Sequence, residues 1–252
     1  MGWLAAEFLP AAPAPKPHLK INFEPISATY SVIANAFDAP HVLRPMLGIA
    51  WFYGLSTIFV TSFPDYIASV MNYDQNVLIF VLVMCTISIL LGSLITMIIG
   101  RWKIWRSESI GLVAFGIIGV TLATSLLYFV PSPYFIGEAK GDLEHFLAHA
   151  YTPLFMASII LASIFSGIFV VPLQAMAQRR ARPETRARLM SAGAVLLNIF
   201  VNVTTFALIW LAFQQWPPKT PFLLIIIFSL IISVYALYRV VKPVEYENFV
   251  EG

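Results

Sequence analysis

Residues 76–99 read NVLIFVLVMCTISILLGSLITMII, a run with no charged side chain from one end to the other. A helix of that length rises about 36 Å at 1.5 Å per residue, enough to cross a hydrocarbon core roughly 30 Å thick. Working outward, comparable apolar runs occupy 45–66, 109–130, 150–174, 190–213 and 221–241, and the charges are gathered into the short intervals between them. The composition agrees: 59% of the 252 residues are apolar and 11% charged, whereas soluble domains carry about 25% charged residues. The expected fold is an all-α membrane protein with six transmembrane helices.

Orientation follows from the basic residues, because short cytoplasmic loops are enriched in Lys and Arg. With the N-terminus inside, Lys16, Lys20, Arg44, Arg101, Lys103, Arg106, Arg179, Arg180, Arg182, Arg186, Arg188, Arg239 and Lys242 all fall on the inner side, and Lys140 and Lys219 fall outside. The outer loops carry Asp65, Asp74, Glu138, Asp142 and Glu144. Both termini are therefore expected in the cytoplasm. Tyr53, Tyr66, Tyr73, Trp102, Trp105, Trp210 and Trp216 lie near span ends, where an aromatic belt belongs.

Residues 1–44 divide from the 45–241 bundle by composition. Met1–Pro10 lacks the basic leader and long apolar stretch of a secretory signal. The segment PAAPAPKP (10–17) cannot continue a helix and is expected as an extended linker. Beyond it Pro25 can open a helix in which Ile26, Tyr30, Ile33 and Phe37 share a face, closed by Pro40, so an amphipathic helix along the membrane surface is expected. Residues 242–252 form a short cytoplasmic tail.

No ionisable residue lies deep in any span, so the usual marks of a proton relay or ion pathway are missing. The polar groups are neutral. Ser191, Asn198, Asn202 and Thr205 recur on one stripe of the fifth span, fit either for hydrogen bonds to other helices or for lining a polar cavity. Gln174 after Pro172 in the fourth span, and Ser56 and Thr57 in the first, are further cavity candidates. Small residues at four-residue spacing, Ser88, Gly92 and Thr96 in the second span and Ser158, Ala162 and Ser166 in the fourth, point to close helix packing, as do Gly111, Gly116 and Gly119 in the third.

His145 and His149 share a helix face, but Glu144 precedes the first histidine rather than following it, and no third ligand is apparent; a solvated cap is expected rather than a metal site. Cys85, the single cysteine, reads as a buried apolar residue. No nucleophile elbow, phosphate loop or cysteine cluster occurs, so neither an enzyme nor a cofactor is expected. The basic loops are accounted for by topology rather than nucleic acid.

Three segments resemble the lysophospholipid-transporter-like branch of the major facilitator superfamily. GIAWFYGLSTIFVTSFPDYI (48–67) looks like that branch's seventh helix, matching at Trp51, Phe52, Phe63, Pro64 and Tyr66 and departing at Ala50, Ser62 and Asp65. SESIGLVAFG (107–116) is similar to the opening of its ninth helix. VPLQAMAQRRARPETRARLMSAGAVLLN (171–198) resembles the end of the tenth, the inner loop and the start of the eleventh, with Pro172, Leu173, Gln174, Pro183, Glu184, Arg186, Arg188 and Asn198 in place. The Pro-rich stretch before LKINFEPISATY (19–30) is similar to the family's central connection.

The resemblance maps to the second six spans of a twelve-span protein, with Met1–Leu9 as the end of a sixth helix. It implies half of a transporter in the inner (plasma) membrane, moving a lysophospholipid or similar amphiphile by alternating access against a complementary six-span half or a second copy. Glu184 with Arg186 or Arg188 is a candidate inner gate, where topology and attraction to anionic lipid would otherwise explain the arginines. A non-transporting membrane subunit, or an anchor for a neighbouring acyltransferase, is the alternative from another class.

Overall fold

The computed structural model describes residues 33–34, 36–100, 110–137, 139–183 and 185–242. The Pro-rich stretch, most of the amphipathic segment, the 101–109 loop, Glu184 and the tail after Lys242 lie outside the described residues. The chain is an all-α membrane protein: six of its helices are long and apolar enough to cross a membrane.

Helix α1 spans Pro40–Asp65 and continues as one π-helical turn, Tyr66–Val70. Next come α2 (Gln75–Ile99), α3 (Ile110–Phe129), the short α4 (Leu143–Ala148), α5 (Thr152–Arg180), α6 (Arg186–Phe213) and α7 (Thr220–Val241). Ile33, Ala34, Ala36 and Phe37 are helical and that stretch stops at the turn before Pro40, as expected, while Pro40 also opens α1 at its first turn. A proline needs no N–H partner there, and its fixed φ suits helix entry. The first span therefore begins before position 45, and α5 runs six residues past its apolar stretch to Arg180.

Helix α5 is the hub, packing against α1, α2 and α3; α6 is held mainly by α1, and α7 by α3. The pairing has a partial internal symmetry. Exchanging the first three spans with the last three turns the α1–α6 contact into the α5–α2 contact and leaves α1–α5 and α3–α7 unchanged, but the extensive α3–α5 packing would map onto α7–α1, which touch little. Because successive spans alternate in direction, the exchanged triplets have opposite orientation.

The α2–α5 crossing is the closest in the bundle. A Cβ placed on Gly92 would lie 2.1 Å from the carbonyl oxygen of Ile164, and one on Gly167 would lie 2.6 Å from that of Ile89. Cys85, Ser88, Gly92 and Thr96 are the buried stripe of α2, as the four-residue spacing predicts. On α5 the contact uses Ser163 and Gly167, and Ser158 also is buried, whereas Ala162 and Ser166 are half-exposed. Gly116 and Gly119 of α3 fit against Phe169 and Phe165.

At the end of the bundle away from the arginines, the loops after α1 and α3 are tied together. Asp74 N–H donates to Gly141 O at 2.9 Å, Gly141 N–H to Asn72 O at 2.9 Å, and Phe135 N–H to Met71 O at 3.0 Å. Asn72 takes the left-handed conformation (φ 60°) and donates through Nδ2 to Phe135 O. Tyr66 and Tyr73 are buried beneath this cap, against Phe222 and Phe146 respectively. They are core residues and not part of an aromatic belt; Trp210 and Trp216 are exposed as a belt requires.

Gly92→Ala should destabilise the bundle by about 1–3 kcal/mol, the usual cost of overpacking, because the new methyl group meets backbone that cannot rotate away. Gly193→Ala is the control: its nearest neighbour would be the flexible Met46 side chain at 3.4 Å. Thermal unfolding of the two variants in detergent checks the contrast.

Candidate functional site

Helix α6 contains the polar stripe, and the way the helix is held decides where the stripe points. Only Leu189, Ala192 and Leu196 are buried along it. They occupy the side that meets α1, where Gly54 abuts Phe200 and Thr204. At 100° per residue Ser191, Asn198, Asn202 and Thr205 lie on the opposite side. Ser191, Asn198 and Asn202 are exposed and Thr205 half-exposed.

Each of these side chains bonds to its own helix. Ser191 Oγ donates to Ala187 O at 3.0 Å, Asn198 Nδ2 to Ala194 O at 2.8 Å, Asn202 Nδ2 to Asn198 O at 2.8 Å, and Thr205 Oγ1 to Val201 O at 2.9 Å. The stripe therefore faces away from the rest of the bundle rather than bonding across it. Asn198 and Asn202 bracket the middle of the Arg186–Phe213 helix, which puts them close to the midplane of any bilayer that the helix crosses.

The other candidates do not converge with this face. Ser56 and Thr57 are half-buried on α1 and donate to Phe52 O and Tyr53 O of their own helix, at 3.0 and 2.9 Å. Because Gly54 meets Phe200 and Thr204, Thr57 is level with Thr205 while pointing elsewhere. Gln174 is exposed on α5. Its neighbour Leu173 would contact a Cβ on Gly48, which places Gln174 about 12 Å nearer the arginine-bearing end than Ser56 at 1.5 Å per residue.

At that end Arg186 and Arg188 are exposed, and the Arg186 guanidinium reaches Ala181 O at 3.5 Å. Arg180 donates to His41 O at 3.5 Å, linking α5 to the start of α1. The candidate gate partner Glu184 lies outside the described residues.

The histidine pair forms a cap. The Asp142 carboxylate accepts from His145 N–H at 3.0 Å and lies 2.7 Å from His145 Nδ1, and these bonds hold it below the usual carboxylate range. His149 Nδ1 accepts from Tyr151 N–H at 3.2 Å. Among the described residues no three His, Cys, Asp or Glu side chains group as metal ligands. Cys85 is buried in the α2 stripe.

One feature is invisible in the sequence. Arg44 and Arg239, which charge counting assigns to topology alone, meet Arg180 at the mouth of an apolar cleft of about 480 Å³. Nothing in the spacing of three arginines from three different helices reveals that they share a rim. Comparison with protein-family models, with curated proteins and with solved structures finds no match to this chain.

Because the asparagine amides bond only within α6, Asn198→Leu and Asn202→Leu should leave the stability of the isolated chain within about 0.6 kcal/mol of the parent, the average value of one interhelical hydrogen bond in a membrane protein. Unfolding in detergent measures this. A loss of several times that size would mean that the amides are held by other helices of the same chain.

Proposed function

We infer that this chain is one six-span half of a facilitator-type transporter, with its arginine-bearing end in the cytoplasm, working by alternating access against a complementary half or a second copy of itself. The observation that carries the reading is the outward amide face of α6. Moving an amide with unmet hydrogen bonds into hydrocarbon costs about 4–8 kcal/mol, so Asn198 and Asn202 at mid-helix are poorly suited to face acyl chains. They suit a polar cavity or the polar face of another protein half.

Two further features support it. The pairing of α1–α6 with α5–α2 in oppositely directed triplets is part of the arrangement of an inverted repeat, a common way in which transporter folds are built, although the α3–α5 packing has no counterpart of similar extent between α7 and α1. The segments 48–67, 107–116 and 171–198 resemble the lysophospholipid-transporting branch, and a nearly charge-free set of spans suits an amphiphile such as a lysophospholipid. In this reading Asn198, Asn202 and Thr205 border the cavity near the midplane, while Ser56, Thr57 and Gln174, which do not converge with that face, stand outside it.

Vesicles containing this chain as a monomer should take up no more labelled lysophospholipid than empty vesicles. Co-expression with a complementary six-span half, or fusion of two copies in tandem, should restore uptake. Full uptake by the monomer overturns the half-transporter reading.

The gate reading is tested separately. Glu184→Arg should shift the balance of inward and outward accessibility, measured by cysteine labelling, with insertion unchanged. Unaltered accessibility leaves the arginines to topology.

A further inference from the structure

The cleft bearing Arg44, Arg180 and Arg239 is on a different side of α1 from Ser56 and Val60, and α1, α3, α5 and α7 build it, with Phe200 added from the α1-facing side of α6. Its floor is Phe169 and Leu173 of α5, and Trp51 forms a wall, edge-on to Phe169 with ring centroids 6.2 Å apart. The three arginines rim one end. Eleven residues of α5 separate Arg180 from Phe169, about 16 Å at 1.5 Å per residue. That is close to one leaflet of a hydrocarbon core roughly 30 Å thick.

The cleft also opens sideways. Ile231 and Tyr235 of α7 line it and are 57% and 50% exposed. Ile231 lies eight residues, or about 12 Å, from Arg239 along the helix, deep enough for the side opening to meet acyl chains and not water. An occupant entering there comes from the bilayer, carries an apolar chain about one leaflet long and presents negative charge at the arginine end. Basic pockets between spans on the cytoplasmic side take anionic headgroups for this reason.

We propose that this cleft is a binding site for one anionic phospholipid of the leaflet at the arginine-bearing end, with an acyl chain along Trp51, Phe169 and Leu173 and the headgroup phosphate at Arg44, Arg180 and Arg239. The site stands apart from the α6 face, and its occupant is a resident lipid whether or not the chain transports. It couples α1, α5 and α7 at the end where α1 and α7 otherwise touch little.

Trp51 supplies the test. The full chain is placed in nanodiscs of phosphatidylcholine containing brominated phosphatidylglycerol or, at the same mole fraction, brominated phosphatidylcholine. The Trp51 signal is the difference between the parent and Trp51→Phe. Phosphatidylglycerol should quench it several-fold more strongly, and Arg180→Gln or Arg239→Gln should each reduce that preference by about fivefold, the factor expected for one basic group near an anionic headgroup. Arg239→Lys should retain most of it. Equal quenching by both lipids in the parent overturns the proposal, as does quenching of Trp51 by neither, and these two readings need no variant in the arginines to fold.

Discussion

Two backbones in contact at the α2–α5 crossing are what the rest of the bundle is arranged around. In lipid there is little hydrophobic gain from bringing helices together, so association depends on packing and on how closely backbones approach. Gly92 and Gly167 remove the Cβ atoms that would stop α2 short of α5. With α2 seated, α5 presents Phe165 and Phe169 to the glycines of α3 and Leu173 to Gly48 of α1. The hub helix thus uses small residues toward one neighbour and large ones toward the small residues of the others.

Polar side chains contribute less to holding the bundle than their number suggests. Thr86, Ser88, Thr96, Ser125, Ser158 and Ser166 all return their hydroxyl protons to the carbonyl one turn earlier. A hydroxyl satisfied in this way can face lipid or protein without leaving a donor unmet. Bonds between elements are fewer. Thr121 and Ser233 join α3 to α7 at 3.0 Å, and Tyr66 bonds Ser132 beneath the cap formed by the 71–74 and 135–141 loops. Specificity therefore rests mainly on shape at the crossings, with one buried polar tie between α3 and α7 and one beneath the cap.

The existence of the spans is legible in the sequence because water-facing helices need charges, and only a hydrocarbon core asks for about 20 consecutive residues without them. The α2 limits differ by a single residue from those of its apolar run. Helix ends that project beyond the hydrocarbon are less legible: Arg179 and Arg180 are helical but charged, so hydropathy closes the span too early. Pro40 carries a second ambiguity, since proline is as suitable for starting a helix as for stopping one. Tyr66 and Tyr73 carry a third. Their position near a span end is the signal for an interfacial belt, and only the backbone ties between the 71–74 and 135–141 loops bury them. The α6 stripe is visible as a stripe from its spacing alone. Its direction depends on which side α1 covers, and that is a tertiary fact.

The internal pairing sharpens what the stripe means. Helices α2 and α6 occupy equivalent places, each leaning on one partner and leaving most of its surface open; 22% and 11% of their most apolar windows are buried. On α2 the open surface is mostly apolar, with Ile79, Val83, Ile87, Leu90 and Leu94 exposed and Thr86 a polar exception, bonded to its own helix. On α6 the corresponding freedom goes partly to Ser191, Asn198 and Asn202. Corresponding places in the bundle with different chemistry argue that the two helices meet different surroundings. Acyl chains are sufficient for α2, whereas the asparagine face of α6 is better matched by hydrogen-bonding neighbours at mid-depth, which the proposed second half or a water-filled cavity would supply and a bilayer would not.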